Sequence, residues 1–195
     1  MAIDLPPLTD HAECEPYVVS AGGVLKSPVG GVAMAIGRLG DRMGLDVTLP
    51  SMLEADARLW RARRSAARAL ATTVRLVWPQ EELEAFGVIT VNGAGQAGMT
   101  LNITGGTAGK TVPEGAAFSV TDGVRHYVYM ARADLVLTGG ALALPITPMI
   151  RRAPSNGSAV NFAAPVLEGH IEGEIRWSIQ NQQAGPISFK IEENR

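Results

Sequence analysis

The chain is poor in the residues that most often carry chemistry: of 195 residues, one is cysteine and three are histidine. Cys14 standing alone excludes an intrachain disulfide, so nothing here demands maturation in an oxidising compartment. His11, His126 and His170 show no H-x-x-x-H, H-x-C or C-x-x-C spacing, which leaves the usual transition-metal arrangements without their ligands. Charge of one sign is not in excess either. A net charge of -2 argues against a free nucleic-acid binder, whose phosphate contacts need a basic surface. No run of about 18 apolar residues offers a membrane span, and the first eight residues lack the basic start and apolar stretch of a signal peptide. A soluble, untargeted chain made in a cytoplasm is the expectation. Aromatic residues make up only 5%, against 22 glycines and 12 prolines, a balance that fits many short strands and tight turns better than a helical bundle. The length suffices to bury a core without disulfide or metal staples.

Against this background one long helix stands out, from Ser51 to about Leu70. Ser51 and Glu54 have the S-x-x-E spacing of a capping box. Leu59, Trp60, Ala62, Ala66, Ala67 and Leu70 form an apolar stripe of mostly small residues that can approach a sheet closely. Arg58, Arg61, Arg63, Arg64 and Arg68 make the segment basic, with Arg61, Arg64 and Arg68 recurring at three- and four-residue spacing on another face.

Before the helix, Tyr17 to Ala21, Val32 to Arg38 and Met43 to Thr48 read as strands between glycine turns, and Val74 to Trp78 follows it as another. A different texture begins near Phe86. Val88 to Val91, Met99 to Thr104, Phe118 to Thr121, Val124 to Ala131, Ala133 to Leu137 and Ala141 to Leu144 are short strands between Gly-rich turns, which predicts a small barrel. Asp122-Gly123 predicts a type I′ hairpin. Beyond a linker-like Arg151 to Ser158, strands resume at Ala159 to Phe162, Val166 to Ile171, Ile175 to Ile179 and Ile187 to Glu192. The first unit has too few strands to close a core, so the last ones complete it and the middle is an insertion. The expected fold is mainly β: a discontinuous β-sandwich with one flanking helix over 1–85 and 155–195, and an inserted barrel over 86–154.

Several motifs imitate catalytic or cofactor sites. Gly93 to Gly98 matches G-x-G-x-x-G, but a strand follows where the phosphate-binding helix is needed. Gly105 to Thr111 is one residue short of a phosphate loop and runs into Val112-Pro113. There is no G-x-S-x-G, and the acidic groups at Glu81, Glu82 and Glu84 or at Glu168, Glu172 and Glu174 read as solvated faces. The expectation is therefore no catalytic residue, no cofactor and no metal. The sequons at Asn102 and Asn156 carry no weight in an untargeted chain.

Ser27 to Gly31, Arg38 to Arg42, Val47 to Met52 with Trp60, and Gly139 to Pro148 leading to Arg151-Arg152 resemble the distal tail protein family of long-tailed bacteriophages, minor tail and baseplate proteins. The resemblance implies a tail-tube-like sandwich that assembles as a homohexameric ring between tail tube and baseplate hub at the virion tip. It implies tail-tube, hub and fibre proteins as partners, and a genome that passes through the lumen. It further implies an inserted barrel like the oligonucleotide/oligosaccharide-binding fold. For a ring, Arg61, Arg64 and Arg68 are the expected subunit contacts, with Glu168, Glu172 and Glu174 as their acidic counterparts. The alternative is a carbohydrate-binding module for host attachment, with Tyr127 and Tyr129 on one strand face as either saccharide platform or barrel core.

Overall fold

A computed structural model of the chain describes residues 2–26, 30–36, 40–180 and 183–194. The strands run β1 (Ile3–Asp4), β2 (Glu13–Val19), β3 (Gly23–Leu25), β4 (Met34–Ile36), β5 (Arg42–Leu49) and β6 (Met52–Leu53), followed by the helix α1 (Glu54–Ala69). Then come β7 (Val74–Val77), β8 (Ile89–Val91), β9 (Gly98–Gly105), β10 (Thr111–Val112), β11 (Ala117–Asp122), β12 (Arg125–Ala131) and β13 (Leu135–Val136). The last are β14 (Leu142–Ile150), β15 (Ala159–Asn161), β16 (Val166–Glu172), β17 (Ile179–Gln180), β18 (Gln183–Ala184) and β19 (Ile187–Glu193). The protein is thus mainly β, with a closed six-stranded barrel beside other sheets. Of the expected strand Val32 to Arg38, the end at Gly37-Arg38 lies outside the described residues, as do Ser27 to Val29 and Arg38-Leu39 of the segments that carry the family resemblance.

The largest open sheet has the order β1-β7-β16-β19-β5-β2, so strands from both ends of the sequence interleave in it. Only the β1–β7 pair is parallel. Along β5, Met43, Leu45, Val47 and Leu49 are buried while Arg42, Asp46 and Thr48 stay partly exposed, the period-2 alternation of a sheet with one dry face. Ile187, Phe189 and Ile191 of β19, Leu167 and Ile171 of β16, and Val74 and Leu76 of β7 complete that face. Each such aliphatic side chain contributes about 1.5–3 kcal/mol by leaving water. On the other face Tyr17 lies across its cross-strand neighbour Gly44, where an added Cβ would meet the ring at 2.5 Å.

Helix α1 covers the dry face through Ala57, Trp60, Arg64 and Ala67, with the Trp60 and Phe189 rings 5.8 Å apart. This corrects two expectations. The buried stripe is rotated, leaving Leu59 and Leu70 exposed, because the two buried alanines allow close approach and Trp60 and Arg64 fill the space over Phe189. The capping box does not form: the N-cap is Leu53, without a side-chain bond, because Met52-Leu53 is drawn into a small sheet with β18. Glu54 and Asp56 instead favour the helix start by their charge, and Glu54 accepts from Arg61.

The barrel has the cyclic order β11-β12-β14-β9-β8-β15. Its closing strand is Ala159–Asn161, which pairs with both β11 and β8; from sequence it reads as the first of the returning strands. The stretch Ala133 to Leu137 yields only the two-residue β13, paired with β10 beside the barrel. By contrast β14 runs past Pro145 and Pro148 to Ile150, with a register irregularity against β9 where the prolines cannot donate. The β11–β12 hairpin is present, but Asp122 pairs with Arg125, so the loop is Gly123-Val124. Positive φ is confined to Gly123, at +61°, which fits a type II′ turn and not the type I′ that Asp-Gly suggests. Phe86, Phe118, Phe162 and Tyr129 stack through the interior, Phe118 and Phe162 with centroids 4.8 Å apart.

Candidate functional site

The residues expected at a subunit interface do not share one surface. Arg61 is held by Glu54 and lies under Trp177, 5.9 Å from its ring centroid. Arg64 is wholly buried. Its guanidinium sits 4.7 Å from the Phe189 centroid and, among the described residues, donates to the Ser188 carbonyl at 3.4 Å while Nε and Nη1 find no hydrogen-bond partner. Desolvation lowers its pKa to about 10. Glu168 is likewise buried, accepting from Arg75 Nε and Thr73 Oγ1 at 3.0 Å each. Arg64 and Glu168 are therefore spoken for inside the molecule, and as subunit contacts they are corrected. Glu174 is exposed and pairs with Arg176. Arg68 and Glu172 come together, lining one open cleft of about 480 Å³ with Thr72 and His170, and Glu172 and Glu174 line another of about 550 Å³.

Tyr127 and Tyr129 are buried in the barrel core, which removes them as a saccharide platform. The two share a strand face, as their spacing requires, and that face is the packed interior. Burial pushes the Tyr129 phenol well above its ordinary range. The glycine-rich decoys are turns. Gln96 ties the first together, its amide accepting from Asn102 N and donating to the carbonyls of Asn92 and Gly93. In the second, Lys110 pairs with Glu84. Among the described residues no three or more His, Cys, Asp or Glu side chains are grouped to hold a metal.

Two features were not legible in the residue pattern. The first is an arm: β3 and β4 form a two-stranded sheet of their own, set beyond the end of the β2–β5 pair, where Ala21 N donates to Asp41 Oδ1 at 2.6 Å. Val24 and Leu25 are each 59% exposed, Met34 65% and Val32 95%. A free-standing hairpin is marginal in water, and one that shows its apolar side chains to solvent lacks even a hydrophobic face to bury. The signal was present as short valine and leucine runs between glycines, but such runs read equally well as core strands.

The second is a buried junction between barrel and sheet. Glu193, at the end of β19, is 2% exposed. One carboxylate oxygen accepts from Val128 N of the barrel at 2.9 Å, and the other accepts from Met43 N of the sheet at 3.2 Å. Arg151, at the end of β14, approaches that second oxygen to 2.6 Å and donates to the Asn194 carbonyl at 2.9 Å, with its guanidinium 5.7 Å from the Tyr127 centroid. Burial pushes the Glu193 carboxyl up to about 7, outweighing the opposing pull of Arg151 and the two amides. No spacing rule links positions 151 and 193, so sequence alone offered no signal for this pair.

No protein-family model matches the chain, and no curated protein matches it significantly.

Proposed function

We propose that the chain is a structural protein of a long-tailed bacteriophage virion: a ring-forming distal tail component, without catalytic activity, that joins the tail tube to the baseplate hub. The observation that carries this reading is the β3–β4 arm, whose exposed Val24, Leu25, Val32 and Met34 need a cover that a second copy of the chain can supply. In this reading the open six-stranded sheet and α1 are the tail-tube-like sandwich, the barrel is the inserted domain, the neighbours are tail-tube, hub and fibre proteins, and the genome passes through the ring lumen. Among the described residues the open clefts near the sheet are charged and lined mostly by exposed or half-buried side chains, unlike the largely apolar, enclosing pockets that hold small molecules. The saccharide-binding alternative loses its support with the burial of Tyr127 and Tyr129.

The test is mass in solution. Multi-angle light scattering of the purified chain is expected to give a ring, near six protomers, and the triple change Val24→Ser, Leu25→Ser and Met34→Ser is expected to give a folded monomer. A wild-type chain that stays monomeric at high concentration overturns the reading.

A further inference from the structure

The barrel and the sheet each have a core of their own. Phe118, Leu144 and Ile146 belong to the cluster inside the barrel, and Leu45, Val47 and Ile191 to the cluster beneath the sheet. The barrel closes its hydrogen-bond ladder on itself and owes no strand to the sheet. It enters and leaves the rest of the chain through two segments that lie side by side: Trp78 N donates to the Pro165 carbonyl at 2.7 Å, and Gln80 Nε2 donates to the Phe162 carbonyl at 2.7 Å. Paired linkers of this kind are the geometry of a hinge.

Away from that hinge the two bodies meet where β12 and β11 of the barrel pack against β16 and β5 of the sheet. Ala117 and Val128 reach from the barrel into the sheet's cluster, with Met130 packed against it, and Arg75 donates to the Val124 carbonyl at the hairpin tip. The polar ties there are the Glu193 carboxylate, which accepts from one amide of each body and has Arg151 of the barrel at 2.6 Å, and the Asn194 carbonyl, which accepts from Arg151. We propose that Glu193 and Arg151 form a lock between two separately cored bodies, and that opening it lets the closed barrel swing on its paired linkers as a unit. The energetics suit a lock. Arg151 and Glu193 approach to 2.6 Å with little of either side chain exposed, and removing one leaves the other in the seam without its partner, so the seam opens as one event. On the barrel side the apolar contact is made by Ala117, Val128 and Met130, fewer side chains than either core holds. The inference does not depend on ring formation.

The reporter is the Val128 amide, whose partner lies across the seam. In native-state hydrogen exchange of the wild-type chain, Val128 is expected to exchange through an opening that leaves the barrel ladder amides of Leu101 and Leu144 protected. In Arg151→Met, which keeps bulk at the seam and removes the charge, Val128 exchange is expected to rise by about tenfold or more with the ladder amides unmoved. Nitrogen-15 relaxation should then give the barrel and the sheet distinct rotational correlation times. Val128 exchanging in step with Leu101 and Leu144 in both proteins, or a common correlation time in the variant, overturns the proposal. Glu193→Ala, which removes the acceptor for both amides, provides the same readings from the sheet side should Arg151→Met fail to fold.

Discussion

Arg64 and Glu193 are both ionisable and both buried, yet they stand in opposite circumstances. Glu193 accepts from two backbone amides and has Arg151 at 2.6 Å, whereas Arg64, among the described residues, has no carboxylate beside it and keeps two guanidinium nitrogens without hydrogen-bond partners over an aromatic ring. A buried charge without a carboxylate costs more than the apolar side chain of the same length that could replace it. Arg64→Met is therefore expected to leave stability unchanged or raise it by about 1–2 kcal/mol, read from the urea midpoint, while Arg64→Ala lowers it by opening a cavity over Phe189. For Glu193 the prediction concerns pH. Its carboxyl titrates near 7 in the folded protein, above its ordinary value of 4.5, so the folded state binds the proton more tightly than the unfolded state does. Its stabilising contribution is complete below the unfolded value and is lost as pH rises through about 7. Thermal midpoints should accordingly fall from pH 5 to pH 8, and Glu193→Gln should flatten that slope. A wild-type slope of the opposite sign would show that Arg151 and the two amides outweigh burial.

At the scale of elements, the two ends of α1 invert what their residues suggest. Ser51 looks like a cap and is not one, so Ser51→Ala should cost less than about 0.5 kcal/mol, where loss of a working cap costs about 1. The other end forms a Schellman motif: Thr72 N donates to the Ala67 carbonyl at 3.0 Å and Ala71 N to the Arg68 carbonyl at 3.2 Å. Its left-handed position is filled by Ala71, at φ +47°, where glycine is the usual occupant. Ala71→Gly is expected to stabilise the protein by about 1 kcal/mol in chemical denaturation, because relief of the Cβ clash exceeds the added freedom of the unfolded chain. The β11–β12 hairpin shows how far local signals reach. Glycine at the turn and alternation on both flanks specify a hairpin, but the loop register follows from how Phe118 and Tyr129 pack inside the barrel, and that shifted the turn by one residue.

For the whole molecule, the arm and the seam make separate predictions. Apolar-to-serine changes in the arm should alter assembly with little effect on the melting of the monomer, since Val24, Leu25 and Met34 contact water in the isolated chain. Changes at Glu193 or Arg151 should do the reverse, loosening the barrel on the sheet without touching the arm. Agreement of both with experiment would separate assembly from internal rigidity in the same chain. By itself the sequence determined that this protein is mainly β with one helix, that a barrel occupies its middle, and that its glycine-rich loops are turns, because periodicity and turn chemistry are local properties. Which side of the helix is dry, which strand closes the barrel, that Arg64 is buried, and that Glu193 meets Arg151 were decided only by the tertiary structure. Those outcomes depend on packing between residues far apart in the chain, and no local pattern encodes which of several sterically acceptable partners a side chain finds.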